Sequence, residues 1–305
     1  MAMPTSAGRG VATDSENFPT GETLMFGVAH HSCVDNAFVH IRNGLWRFEG
    51  PLTEVVAERI DRVPPFHLPP GPSDCLFCDR FEGGQFTNEH VWSEWFQREL
   101  FALGARFPSY GRGKEAAPLG PTVRVCIDCN NRWMSVLEND AKPLIVDMWH
   151  QPRTLDLTEQ RLLATWATKT AIVLDAIEPR LIPRHFGHEL RVSRRPASGV
   201  WVWATMIAGG PPNLSAWLRP LRLAAKGQPT PEDPNGLCVT FTLHRIAFQV
   251  VFAFYRGQFD VPLRYDCASM LTPLWPPDGG LKDWPCGGFD EEALQDVAER
   301  FATES

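Results

Sequence analysis

Among the apolar residues at 200–206, valine and tryptophan alternate, setting Trp201 and Trp203 opposite Val200 and Val202, and this period of two predicts a strand. Residues 237–243 and 246–255 are almost continuously apolar on either side of His244–Arg245, which predicts two buried strands around a turn. Residues 85–91 and 121–126 read as two further strands, and 24–50 as a few short ones. Elsewhere the period is helical. Trp92, Trp95, Phe96, Phe101 and Leu103 place apolar groups along one helix at helical spacing. After Cys129, the residues Trp133, Leu137 and Ala141 recur every fourth position and predict a helix ending before Pro143. Leu162, Leu163, Trp166, Val173, Leu174 and Ile177 mark another, opened by Asp156 and Glu159 as an acidic form of the capping box. Leu52, Val55, Val56 and Ile60 predict a short amphipathic helix over 52–60, and Asp290 caps a last helix through Leu294, Val297 and Phe301.

Breaker residues divide these elements into an α+β protein of two working parts. Residues 1–23 are rich in Ser, Thr and Gly without apolar period, and are expected to be disordered. Residues 24–73 form an extension ending in Pro64, Pro65, Pro69, Pro70 and Pro72, an extended linker because proline neither continues a helix nor donates to a sheet. Residues 74–148 form one module, in which 104–121, with its Gly, Pro, Arg106, Arg112 and Lys114, reads as a mobile basic loop. Residues 149–305 form an α+β C-terminal domain.

Composition narrows the class. A hydrophobic content of 44% with 11 Trp in 305 residues supports a packed interior. The first residues lack the basic and apolar regions of a signal peptide, and the apolar run at 246–255 is too short to span a bilayer. A cytoplasmic protein without membrane association is expected, and in that reducing compartment closely paired cysteines signify metal rather than disulfides. The net charge of −7 argues against phosphate binding over the whole surface. Residues 161–226, however, carry ten basic side chains against three acidic ones, a face able to hold a phosphate backbone or simply to be solvated.

The chemistry concentrates between Cys75 and Lys142. Cys75 and Cys78 form one C-x-x-C pair and Cys126 and Cys129 a second, and four thiols in this arrangement suit a closed tetrahedral zinc site. Cys33, Cys238, Cys267 and Cys286 lack such spacing and read as reduced thiols, and His30 and His31 as ordinary side chains. Two C-x-x-C pairs around an acid–histidine pair describe a metal site better than a thioredoxin-like one. Glu89 and His90 stand between the pairs, and Asn130 follows the second directly. Lys169 and His244 are lone polar groups and read as structural.

The segments C-L-F-C, N-E-H-V-W and C-I-D-C-N-N-R-W-M-S-V-L-E-N-D-A-K-P resemble the zinc-containing branch of the HNH, or ββα-metal, endonucleases over about a quarter of the chain. The resemblance implies a ββα-metal module clamped by a structural Zn²⁺ on Cys75, Cys78, Cys126 and Cys129. It further implies a catalytic Mg²⁺ or Mn²⁺ on Glu89 and Asn130, and His90 as general base. The implied activity is phosphodiester hydrolysis in nucleic acid, DNA foremost. The C-terminal domain carries no catalytic motif, and its expected work is packing, substrate placement or partner contact. Glu138, about two helical turns beyond Asn130, is a minor further candidate. Ser93 and the absence of Asn between His90 and Cys126 depart from the family pattern. The missing Asn and the acidic net charge favour the alternative: a zinc-stabilised nucleic-acid-binding module that has lost catalysis.

Overall fold

The computed structural model describes residues 39–42, 45–49, 54–59, 75–78, 85–103, 122–177, 180–208, 214–225, 229, 231–254, 271–290 and 294. In chain order the first elements are β1 (Val39–Arg42), β2 (Leu45–Glu49), β3 (Glu54–Arg59), β4 (Phe86–His90), α1 (Glu94–Ala102) and β5 (Thr122–Cys126). A π-helical segment, Cys129–Met134, leads into α2 (Ser135–His150), then β6 (Arg153–Leu155), α3 (Leu157–Asp175) and α4 (Arg184–Ser193). The remainder is β7 (Val200–Ile207), β8 (Ala216–Ala225), β9 (Gly236–Leu243), β10 (Ile246–Ala253), β11 (Thr272–Trp275), β12 (Lys282–Trp284) and β13 (Gly288–Phe289). All of these lie within one compact unit, Asp35–Ser305.

The fold is mixed α/β. Its largest layer is a sheet ordered β1-β2-β3-β8-β9-β10-β7-β11, with β13 joining β7 in parallel. Its centre follows from the sequence. Every residue of β9 and β10 is buried, as expected for apolar runs covered on both faces. The tight connection between these two strands passes through His244, whose φ of 59° places it in the left-handed region. Two small antiparallel ribbons, β4–β5 and β6–β12, stand off the main sheet.

Helix α3 lies against this sheet, with Trp166 packed on Phe241 at 6.1 Å and on Phe248 at 5.6 Å. Its start is fixed by the capping box foreseen in the sequence: Asp156 accepts from the backbone N–H groups of Thr158 and Glu159, and the Asp156 N–H donates to Glu159. Ile177 falls beyond the helix and is exposed rather than on its buried face.

Two expected helices differ. Residues 54–59 form strand β3, because Val55 to Arg59 pair with β8, and this long-range ladder overrides the local helical spacing. Helix α2 continues through Pro143 to His150 instead of stopping before it. Pro143 is exposed, so the carbonyl it leaves unpaired on exposed Asn139 can meet water. The residues after it, Leu144, Ile145, Met148 and Trp149, are all buried. At about 1.5–3 kcal/mol each, their burial outweighs a proline penalty of about 3 kcal/mol.

One cluster of buried residues runs without interruption from Cys75 to Trp284, so segments 74–148 and 149–305 share an interior. The ring of Phe96 in α1 packs on Trp149 at 5.7 Å and Trp92, just before α1, on Phe241 at 6.1 Å, joining the first segment to the second. Among the described residues no helix is long and apolar enough to cross a membrane. The disordered terminus expected at 1–23, His30, His31, Cys33, the proline linker, the 104–121 loop and Cys267 lie outside the described residues. So does the last helix, apart from buried Leu294, whose N–H donates to the carbonyl of Asp290.

Candidate metal centre

Three local features bring four thiols together. Cys75 and Cys78 sit in a turn, Cys126 ends β5, and Cys129 opens the π-helical segment. All four are buried, and their sulfur atoms lie within 4.8 Å of one another. Cys78 Sγ and Cys126 Sγ are 3.5 Å apart. That is well beyond the ~2 Å of a disulfide. It is close to the ~3.8 Å edge of a tetrahedron with ~2.3 Å zinc–sulfur bonds. The backbone N–H of Cys126 points at Cys75 Sγ (3.3 Å) and that of Cys129 at Cys126 Sγ (3.4 Å), donors that favour thiolate. The hydrogen bond between the Cys75 and Cys129 thiols holds Cys75 down at about 5, against its burial, and pushes Cys129 upward. Phe77 packs edge-on against Trp133 at 5.1 Å, locking the first turn onto the segment that follows the second pair. This four-cysteine cluster is compatible with a bound metal such as zinc, as the C-x-x-C spacing led one to expect.

The strands beside it are β4 and β5, paired antiparallel with Phe86 opposite Cys126, Glu89 opposite Val123 and His90 opposite Thr122. Successive side chains on a strand point to opposite faces, so Glu89 and His90 leave the ribbon on different sides. The Glu89 side chain is 12% exposed and turns to α3, where its Oε1 lies 3.5 Å from Lys169 Nζ. The His90 ring is 26% exposed, with Nε2 at 4.0 Å from Glu94 Oε1. Its Nδ1 is buried without a hydrogen-bond partner among the described residues, an orphan that a ligand or proton transfer would satisfy. Asn130 is half-buried in the π-helical segment, and its carbonyl accepts from the Ser135 N–H. Among the described residues no hydrogen bond links the side chain of Asn130 to Glu89 or His90.

What the structure brings to Glu89 instead is Glu138. Lys169 Nζ, completely buried in the middle of α3, contacts Glu138 Oε1 at 2.5 Å as well as Glu89, and the indole N–H of Trp95 donates to Glu138 Oε2 at 2.7 Å. Strand β4 and helix α2 therefore meet on the ammonium of α3, and α1 joins them through Glu138. Burial drives the Glu89 carboxyl up, more than Lys169 draws it down. Burial acts on Glu138 in the same sense, but attraction and hydrogen bonding from Lys169 and Trp95 prevail and hold it below the usual range. Lys169, which burial alone would push down, is kept above its ordinary value by the two carboxylates. A lysine three residues after Trp166 on the apolar stripe of α3 is the signal that marks this hub in the sequence, because a buried ammonium requires an acid.

Compared with protein-family models, curated proteins and solved structures, the chain matches none.

Proposed function

We propose that this protein is a metal-dependent endonuclease of the HNH type, acting on phosphodiester bonds of nucleic acid, DNA foremost. One observation carries the reading. The four-thiol cluster ties the β4–β5 ribbon to the start of the helix, with His90 closing β4 and Asn130 adjoining Cys129. Zinc on the four thiols would fix ribbon and helix at one spacing, and a hard cation would take its oxygen donors from Glu89 and Asn130. That cation would offset charge on the non-bridging oxygens and on the leaving oxygen. The imidazole of His90 takes the proton of the attacking water. Glu94, beside its Nε2, favours the imidazolium that results.

A second reading is a zinc-stabilised nucleic-acid-binding module without catalysis. The ion pair between Glu89 and Lys169 favours it, because Glu89 already has a cation.

Nicking of a supercoiled plasmid with added Mg²⁺ or Mn²⁺ decides between them. Cleavage that requires the cation and disappears in His90→Ala, with zinc unchanged at about one per chain, is the expected result. Cleavage retained in His90→Ala removes it as the base. Nucleic-acid binding with no cation-dependent nicking selects the second reading.

A further inference from the structure

The two faces of the β4–β5 ribbon differ in chemistry. Partners in its register share a face, so Glu89 stands with Thr87, Val123 and Val125, and His90 with Phe86, Asn88, Thr122 and Arg124. The first face turns inward: Val123 and Val125 are buried, and Glu89 reaches Lys169. The second turns outward, and Asn88, Thr122 and Arg124 are exposed on it. Each of these three side chains can donate a hydrogen bond, and neither strand places a carboxylate on that face. Glu94 of α1 approaches the His90 end but is shared with Arg98, at 3.3 Å.

The guanidinium of Arg124 lies over the Phe86 ring, 4.8 Å from its centroid. This seat carries the charge away from His90 to the far end of the ribbon. Phe86 and His90 are the first and last residues of β4, about 13 Å apart at ~3.3 Å per residue. Stacking uses the flat face of a guanidinium, while its N–H fork, which matches a phosphate, lies in the plane.

We propose that Arg124 is a positioning residue for the cleavage argued above, holding a backbone phosphate about four nucleotides from the bond cut at His90, at ~3.4 Å of axis per nucleotide. The inference rests on that reading for its substrate and adds the direction in which the strand runs. An imidazole at one end of the face, a guanidinium at the other, and Asn88 and Thr122 beside them set out hydrogen-bonding groups along a line, as side chains do that contact a phosphate backbone. At this distance Arg124 does not reach the charge that develops at the cut bond. Its work is to fix the strand in register past His90.

The test uses the full-length, zinc-loaded chain. Fluorescence anisotropy without added Mg²⁺ or Mn²⁺ follows a labelled duplex of about 30 base pairs over a range of salt. Arg124→Gln should weaken binding by about tenfold and lower the salt slope by about 0.9, for one phosphate on a duplex. Arg124→Lys, which keeps the charge, should restore the slope. With Mn²⁺, Arg124→Gln should raise the plasmid concentration for half-maximal nicking by about tenfold and leave the maximal rate within about twofold. Arg245→Gln, the same loss of charge in the β9–β10 turn, should leave affinity within about twofold. If Arg124→Gln does not retain zinc, Asn88→Asp carries the same prediction, because it sets a carboxylate opposite the guanidinium. Wild-type affinity and salt slope in a zinc-retaining Arg124→Gln overturn the proposal, as does an equal loss in Arg245→Gln, which would assign the effect to net charge. A fall in the maximal rate at unchanged half-maximal concentration overturns it too, by placing Arg124 in the chemical step. If Arg124→Gln loses binding but the wild type never nicks, the phosphate contact stands and the nuclease reading falls. If the wild type nicks and Arg124→Gln binds and nicks equally well, the contact falls and the nuclease reading stands.

Discussion

Replacing Lys169 by Met removes one charge from the centre of the molecule and leaves its volume nearly filled. In the native protein the ammonium is completely buried between Glu89 and Glu138. Without it, two largely buried carboxylates face each other beneath α3. Breaking a buried pair by removing one partner costs about 3–5 kcal/mol, because an uncompensated charge remains. That is a large share of the ~5–15 kcal/mol that holds a typical protein folded. Urea denaturation followed by tryptophan fluorescence should show this loss as a lower midpoint at constant slope. The decisive control is the double variant Lys169→Met/Glu138→Gln, which removes one of the stranded charges. It should recover more than half of the loss, a coupling of about 2 kcal/mol in the cycle. A loss below about 1 kcal/mol for Lys169→Met, or no recovery in the double variant, would refute the buried-hub account.

Burial raises the Asp175 carboxyl from 3.8 to about 6, although the N–H groups of Leu181 and Ile182 both donate to it. Because the folded value lies above the unfolded one, its contribution to stability is complete below about pH 4 and is lost as pH rises through 6, by up to ~3 kcal/mol. Asp175→Asn keeps an acceptor for those N–H groups and should flatten stability between pH 4.5 and 7.5. The same fall in stability between pH 4.5 and 7.5 in Asp175→Asn as in the wild type, read from urea titrations at the two pH values, counts against the assignment. Gly187→Ala should cost about 1–3 kcal/mol, since the new methyl has no room against the Leu76 carbonyl. It should also hasten zinc release to a colorimetric chelator by loosening the Cys75–Cys78 turn. Release at the wild-type rate would separate α4 from the stability of the centre.

The parts of this fold that were legible in the sequence are those decided over a few residues. The two C-x-x-C pairs announce a soft-metal site because thiol ligands at that spacing reach one point. Strand β7 follows from the alternation of valine and tryptophan, β9 and β10 from nearly continuous apolar runs, and the start of α3 from Asp156 and Glu159, whose bonds close within one turn. What failed was decided across the fold. Residues 54–59 carry a spacing compatible with a helix, yet their ladder partner is β8, far along the chain. Pro143 is an ordinary stop signal that buried residues on its far side overrule. Lys169 shows the limit most clearly. Its place on the apolar stripe signals burial, but nothing near it in sequence names Glu138 and Glu89 as partners, from α2 and β4.

On the proposed reading, that trio also bears on how Glu89 would serve a catalytic cation. A carboxylate paired with a single lysine is neutral as a unit and attracts a divalent ion weakly. Here the ammonium is shared, and Glu138 makes the closer contact, 2.5 Å against 3.5 Å. Two carboxylates and one ammonium leave a net charge of −1, and Glu89, the less tightly held acid, is the one with negative charge to offer. On the proposed reading Glu138 need not touch the metal in order to matter to it: by satisfying Lys169, it leaves Glu89 available. In Glu138→Gln that balance shifts, Lys169 pairs with Glu89 alone, and the unit becomes neutral. One unit charge removed at ~6 Å is worth about 3 kcal/mol at an effective dielectric of 20, before solvent screening reduces it. The Mn²⁺ concentration for half-maximal nicking should therefore rise by about tenfold or more, with the rate at saturating Mn²⁺ much less affected. If the rate at saturation collapses while the half-maximal Mn²⁺ concentration stays fixed, Glu138 acts on the chemical step itself and this charge balance is not its role.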